Sequence, residues 1–201
     1  MRKLLAATLL LLTSFVTSAA SDPLELVKHI STDMLSTLQA QSAQTKGHPE
    51  KIVPIVNKLL LPYADLDGMS RAVLGKYWKE ATPAQQQRFT KELTQLVVRT
   101  YAAAFAQYTN QTIDFLKSTP IGSDGTKIEV KTLIKQTGAP SIPVNYRLEK
   151  IGDSWKFYDI NVEGVSLVAS YRSQFGSQIA QKGIDKVIDM IAQRNAAGDK
   201  Q

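Results

Sequence analysis

Cysteine is absent from all 201 residues. That one absence removes a disulfide framework, a thiol nucleophile, a thiolate metal site and a cysteine for lipid attachment, so an exported form of this chain must be stabilised by its core alone. Histidine is scarce: His29 and His48 are the two present, and neither belongs to a metal-ligand spacing such as H-E-x-x-H. There is no G-x-S-x-G elbow and no glycine-rich phosphate loop. No segment approaches the roughly 18 consecutive apolar residues of a membrane-spanning helix. Basic residues outnumber acidic ones, 24 to 18, for a formal net charge of +6. They are spread along the chain without a Lys/Arg run, which argues against nucleic acid as a partner and leaves anionic surfaces or acidic proteins.

The first twenty residues combine Arg2 and Lys3, an apolar run from Leu4 to Val16 and the small residues Ser18, Ala19 and Ala20. This pattern predicts a secretory signal peptide cleaved near Ala20, and a single exported domain over residues 21–201.

Asp22-Pro23-Leu24-Glu25 carries the start signals of a helix, and Leu24, Val27, Ile30, Met34, Leu35 and Leu38 follow at helical spacing. Two short helices are expected over Ile52 to Leu61 and Asp67 to Leu74, the second stopped by Gly75. Thr82-Pro83-Ala84-Gln85 repeats the capping-box pattern ahead of the longest helix, whose apolar stripe runs from Phe89 through Leu93, Leu96 and Tyr101 to Phe105 and Tyr108. The small residues Ala102, Ala103 and Ala104 would let another element or a ligand come close.

From Thr112 the apolar period becomes two: Ile113 and Phe115, then Ile128, Val130, Thr132 and Ile134, then Val144, Tyr146 and Leu148, then Trp155 to Val162. Gly138-Ala139-Pro140 and Pro143 are expected to bracket a looser connection. In the last strand, strict alternation puts Trp155 and Phe157 on one face and Tyr158, Ile160 and Val162 on the other, so that both faces require cover. Helical spacing returns after Gly164, and Gly183 divides two final helices. The fold class expected is α+β: N-terminal helices, a four-stranded twisted antiparallel sheet, then C-terminal helices, with an apolar cavity between sheet and helices.

Chemistry-bearing residues are few. Asp65-Leu66-Asp67-Gly68 faintly resembles the opening of a calcium loop, but the later ligands are missing. No catalytic residue and no metal site are assigned. Asp159, within an apolar strand, is the best candidate for a perturbed carboxylate, either as a general base or as an acceptor for backbone donors where the strand turns toward Gly164.

Two long runs resemble a known family. LLPYADLDGMSRAVLGKYWKEATPAQQQRF (Leu60 to Phe89) and WKFYDINVEGVSLVASYRSQFGSQIAQKGIDKVI (Trp155 to Ile188) are similar to the hallmarks of the MlaC family, also described as toluene-tolerance proteins. The resemblance implies a periplasmic phospholipid carrier, not an enzyme, with phospholipid as cargo and no cofactor. Its implied partners are an outer-membrane lipoprotein complex and an inner-membrane ABC transporter with an MCE-domain protein, and its implied task is to maintain outer-membrane lipid asymmetry. By motif, Gly164, Val165, Ser166 and Leu167 correspond to the family's Glu-Gly-Val-Ser turn, and Leu74, Gly75 and Tyr77 to its Leu-Gly-x-Tyr segment. The lipid-binding residues expected are Leu74, Tyr101, Phe105, Val144, Tyr146, Phe157, Val165, Leu167, Val168, Tyr171 and Phe175. Two other functions stay open at this point: a cone-shaped α+β enzyme using Asp159 on a small apolar substrate, and a periplasmic peptide-binding module.

Overall fold

The computed structural model describes residues 22–107 and 110–198, so the expected signal peptide and Tyr108 lie outside the described residues. Helix α1 spans Pro23–Ala40, α2 Ser42–Thr45, α3 Pro49–Leu59, α4 Leu66–Leu74, α5 Tyr77–Glu80 and α6 Pro83–Phe105, with a 3-10 turn at Leu61–Tyr63 before α4. Strands β1 Thr112–Ile121, β2 Lys127–Gln136, β3 Ala139–Ile151, β4 Ser154–Val162 and β5 Val165–Ser166 follow, then α7 Leu167–Lys182 and α8 Ile184–Gly198.

The starts of these helices are set by short polar residues that satisfy the first free amides. Asp22 accepts from Leu24 N at 2.7 Å. Thr82 and Gln85 form the reciprocal capping box, with Gln85 N donating to Thr82 Oγ1 at 3.2 Å and Thr82 N to Gln85 Oε1 at 2.9 Å. Asp65 accepts from Gly68 N at 3.0 Å and so caps α4, which is what the Asp-Leu-Asp-Gly stretch does here. Helix α5 was not anticipated from the sequence.

Helix α6 is the spine of the helical half because it is apolar on two flanks. Phe89, Leu93 and Leu96 pack with Val73 and Leu74 of α4, Phe175 and Ile179 of α7, and Val187, Ile188 and Ile191 of α8. Val98, Ala102 and Ala106 pack with Met34 and Leu38 of α1 and Ile52, Ile55 and Val56 of α3. The small-residue step therefore serves helix packing: Ala102 is fully buried against the α3 cluster, while Ala103 and Ala104 are exposed.

The sheet is an antiparallel meander in the order β1-β2-β3-β4-β5, one strand more than expected, because Val165–Ser166 pairs back on the end of β4. That hairpin turns on Glu163 and Gly164, both at positive φ (52° and 87°), the two-residue geometry that suits the twist of paired strands. The looser connection expected around Pro140 and Pro143 is instead a tight hairpin in which Gln136 pairs with Ala139, and both prolines lie within β3. Both fall beyond Val144↔Val162, the last pair between β3 and β4, where β3 has one neighbour and a missing N–H is tolerated.

A second correction concerns the faces of β4. The register shifts between Arg147 and Leu148, so that Phe157 pairs with Leu148 and Asp159 with Arg147, leaving Tyr158 as the extra residue of a bulge. The bulge resets the alternation. Phe157, Ile160 and Val162 share the inner face with Leu148, Tyr146 and Val144, and Asp159 and Asn161 fall on the other.

Candidate lipid-binding site

The inner face of the sheet is covered unevenly. At one end Val27 and Ile30 of α1 seal Val130, Leu148 and Phe157, all nearly inaccessible. Toward the other end Ile134, Ile142, Tyr146, Ile160 and Val162 remain half-buried, although each points to the same inner face. Helix α6 does not close this gap, because its close neighbours are α3, α4 and α8. This leaves a half-buried apolar strip on the inner face of the sheet, the candidate recess.

Tyr146 lies on this inner face, between Val144 and Leu148 along β3 and opposite Ile160. Its ring lies 5.7 Å from that of Phe157. Burial pushes its hydroxyl above the ordinary tyrosine value of 10.0, and hydrogen bonds with Ser31 of α1 and Thr132 of β2 offset part of the rise. Thr132 in turn donates to the Val144 carbonyl at 2.8 Å. The Tyr146 side chain is half-buried. Folding favours the neutral phenol, so this group's contribution to stability is complete below pH 10.0 and is lost as pH rises above it. Alkaline unfolding followed by circular dichroism should be shallower above that pH in Tyr146→Phe than in the parent. Identical slopes would show that Tyr146 is not enclosed.

The residues expected to bind lipid do not form one wall. Val144, Tyr146 and Phe157 lie on the inner face. Leu74 and Phe175 belong to the helical cluster instead: Phe175 meets Phe89 edge-on at 6.0 Å, and Tyr171 stacks on it at 5.8 Å. Val168 is half-buried on the same cluster and Leu167 is buried. Phe105 leans on the α3 cluster. Tyr101 is half-buried on α6, its hydroxyl raised by burial first and by the neighbouring Tyr171 second. Val165 is 57% exposed in β5. The inner face also carries Ile134, Ile142, Ile160 and Val162, which the sequence did not single out. Alternation alone names Ile134, but Ile142 was hidden by the two prolines, and Ile160 and Val162 by the bulge.

Asp159 is buried on the outer face with both carboxylate oxygens engaged. Ser166 Oγ donates to Oδ2 at 2.6 Å, Arg147 Nη1 to Oδ2 at 3.2 Å, and Val168 N to Oδ1 at 3.2 Å. Ser166 Oγ also accepts from Ala169 N at 3.0 Å, so the carboxylate anchors the cap of α7. Arg147 donates onward to Glu129 at 3.1 Å. The motif residue Gly75 ends α4 at φ +56°, and the Arg172 side chain lies across it: a Cβ there would meet the guanidinium at 3.2 Å. His29 and His48 are exposed and pair with Asp33 and Glu50.

A concavity lies on the helical side, away from the candidate recess. It is a groove of about 690 Å³ lined by Val53 and Asn57 of α3, Leu61, Leu66, Asp67 and Arg71 at α4, Trp78 of α5, and residues of α6 from Pro83 to Arg99. None of the residues expected to bind lipid lines it, and its wall mixes apolar side chains such as Val53, Leu61, Leu66 and Val98 with amides and cations.

A twisted antiparallel meander whose apolar inner face is half-buried toward one end, backed by a helical cluster, defines an α+β protein. The sequence profile described as MlaC protein matches residues 28–193. Toluene tolerance protein ttg2D of Pseudomonas putida is 33% identical over 188 residues, covering 90% of this chain and 86% of its own. The intermembrane phospholipid transport system binding protein MlaC of Haemophilus influenzae is 29% identical over 178 residues, covering 87% and 83%. A phospholipid-binding protein from Ralstonia solanacearum, solved in complex with a phospholipid, superposes with a TM-score of 0.81 at 30% identity, covering 89% of this chain and 99% of that one. The chain belongs to the MlaC family.

Proposed function

We propose that this protein binds phospholipid beneath its sheet and transfers it between membrane complexes across the periplasm, without covalent chemistry. The observation that carries the reading is the half-buried apolar inner face at Ile134, Ile142, Tyr146, Ile160 and Val162. An uncovered apolar surface inside a fold is costly unless something apolar fills it. The relatives' names, a phospholipid transport binding protein and a protein solved with phospholipid, support lipid as that filling.

The energetics suit a carrier. At about 0.8 kcal/mol per methylene, two chains of roughly sixteen carbons cost on the order of 25 kcal/mol to expose to water. A recess that resembles the bilayer interior needs only to exchange one apolar environment for another. Asp159, already holding three donors, is committed to anchoring α7. In this reading the lining comprises Val144, Tyr146 and Phe157, their inner-face neighbours Ile134, Ile142, Ile160 and Val162, and Tyr101 of α6 and Tyr171 of α7. The exchange partners are an outer-membrane lipoprotein complex and an inner-membrane transporter bearing an MCE-domain protein.

Transfer of a fluorescent phospholipid from donor to acceptor vesicles tests this. The protein should raise the rate in proportion to its concentration at lipid-to-protein ratios far above one. A rate unchanged by folded protein contradicts it.

A further inference from the structure

We infer that the groove along α6 is a docking site for an extended, acidic peptide segment of a partner protein. The groove runs lengthwise: on α6 its rim is Gln87, Lys91, Gln95 and Arg99, four residues apart and so on one line of the helix. Successive members rise by about 6 Å. An extended peptide repeats its same-face groups every two residues, about 6.6–6.8 Å, so the two ladders keep step over several contacts.

Amide side chains suit such a partner because each offers both a donor and an acceptor to a peptide backbone, and Gln87, Gln95 and, across the groove, Asn57 present them. The groove follows α6 lengthwise, with about 690 Å³ of space along it. The half-buried apolar inner face of the sheet lies elsewhere.

Charge selects the partner. Arg71 and Lys91 line the groove with one carboxylate, Asp67. Arg71 is held over the Trp78 ring at 5.5 Å, which fixes a cation at one end of the floor. Among the described residues no carboxylate pairs with Arg71 or Lys91 within salt-bridge distance. An acidic segment therefore meets a complementary field, with attraction that salt weakens.

The test uses two fluorescein-tagged octapeptides, one alternating valine with glutamate and the other valine with lysine, titrated by anisotropy against the full chain. The acidic peptide is expected to bind and the basic one not to. Lys91→Glu should weaken the acidic peptide at least tenfold, and Gln95→Glu should do the same from the next position on the rim. The lipid content of both variants should match the parent, which separates this surface from the recess and lets either proposal fail alone. Equal binding of the two peptides, no binding of either, or acidic binding unchanged in Lys91→Glu would overturn the inference. So would Lys91-dependent binding of phosphatidylglycerol vesicles without peptide binding, which would make the surface a membrane patch.

Discussion

Ile160→Glu is expected to empty the recess while leaving the protein folded. Ile160 is half-buried on the inner face, one pair along from Val162 and directly opposite Tyr146. A carboxylate there can reach water while the recess is vacant, so the unfolding transition should move little. An acyl chain laid against it would strip that hydration, at a cost of several kcal/mol. Each 1.4 kcal/mol is tenfold in affinity, so lipid retention should fall about a hundredfold or more. Val165→Glu is the matched control: that side chain is 57% exposed, and its replacement should leave bound lipid unchanged. Loss of lipid in the Val165 variant with retention in the Ile160 variant would move the site to the β5–α7 junction.

Asp159→Ala should be the most damaging single polar substitution. Its carboxylate, 5% exposed, holds Arg147 at 3.2 Å, the Ser166 hydroxyl and the Val168 amide. Removal takes away one of the guanidinium's two carboxylate partners, leaving Glu129, and unfixes the α7 cap. Arg147 is 33% exposed and can turn to water, so the loss falls toward the low end for a broken buried pair, about 3 kcal/mol. For a domain of this size that is about 10 °C in Tm. Asp159→Asn keeps an acceptor for one donor and should cost about half as much. A neutral alanine variant would mean that α7 is held by its apolar contacts alone. If Asp159 were instead a general base, both variants would abolish a turnover without lowering Tm.

Local chemistry was legible where a few neighbouring residues decide the outcome. Thr82 and Gln85 announced α6, Asp22 and Pro23 announced α1, and Gly164 marked the turn that ends β4. Alternation in β3 placed Val144 and Tyr146 correctly on the inner face. The failures share a cause, because each depended on a partner distant in sequence. Tyr158 is a bulge through the pairing of β4 with Arg147 and Leu148, and nothing within the strand itself signals it. Pro143 sits in a strand because β4 has already ended opposite it. Leu74 and Phe175 were expected at lipid, but α8 supplies Val187, Ile188 and Ile191 to the cluster that takes them in. The groove along α6 went unseen because its amides and cations read, one residue at a time, as an ordinary solvated face, and only α3 and α4 opposite make it concave.

The most direct measurement is mass spectrometry of an organic extract of the protein purified without detergent. The account predicts a diacyl phospholipid in near-stoichiometric amount, reduced to traces in Ile160→Glu. Folded protein that yields no lipid, or lipid retained undiminished by Ile160→Glu, would contradict it.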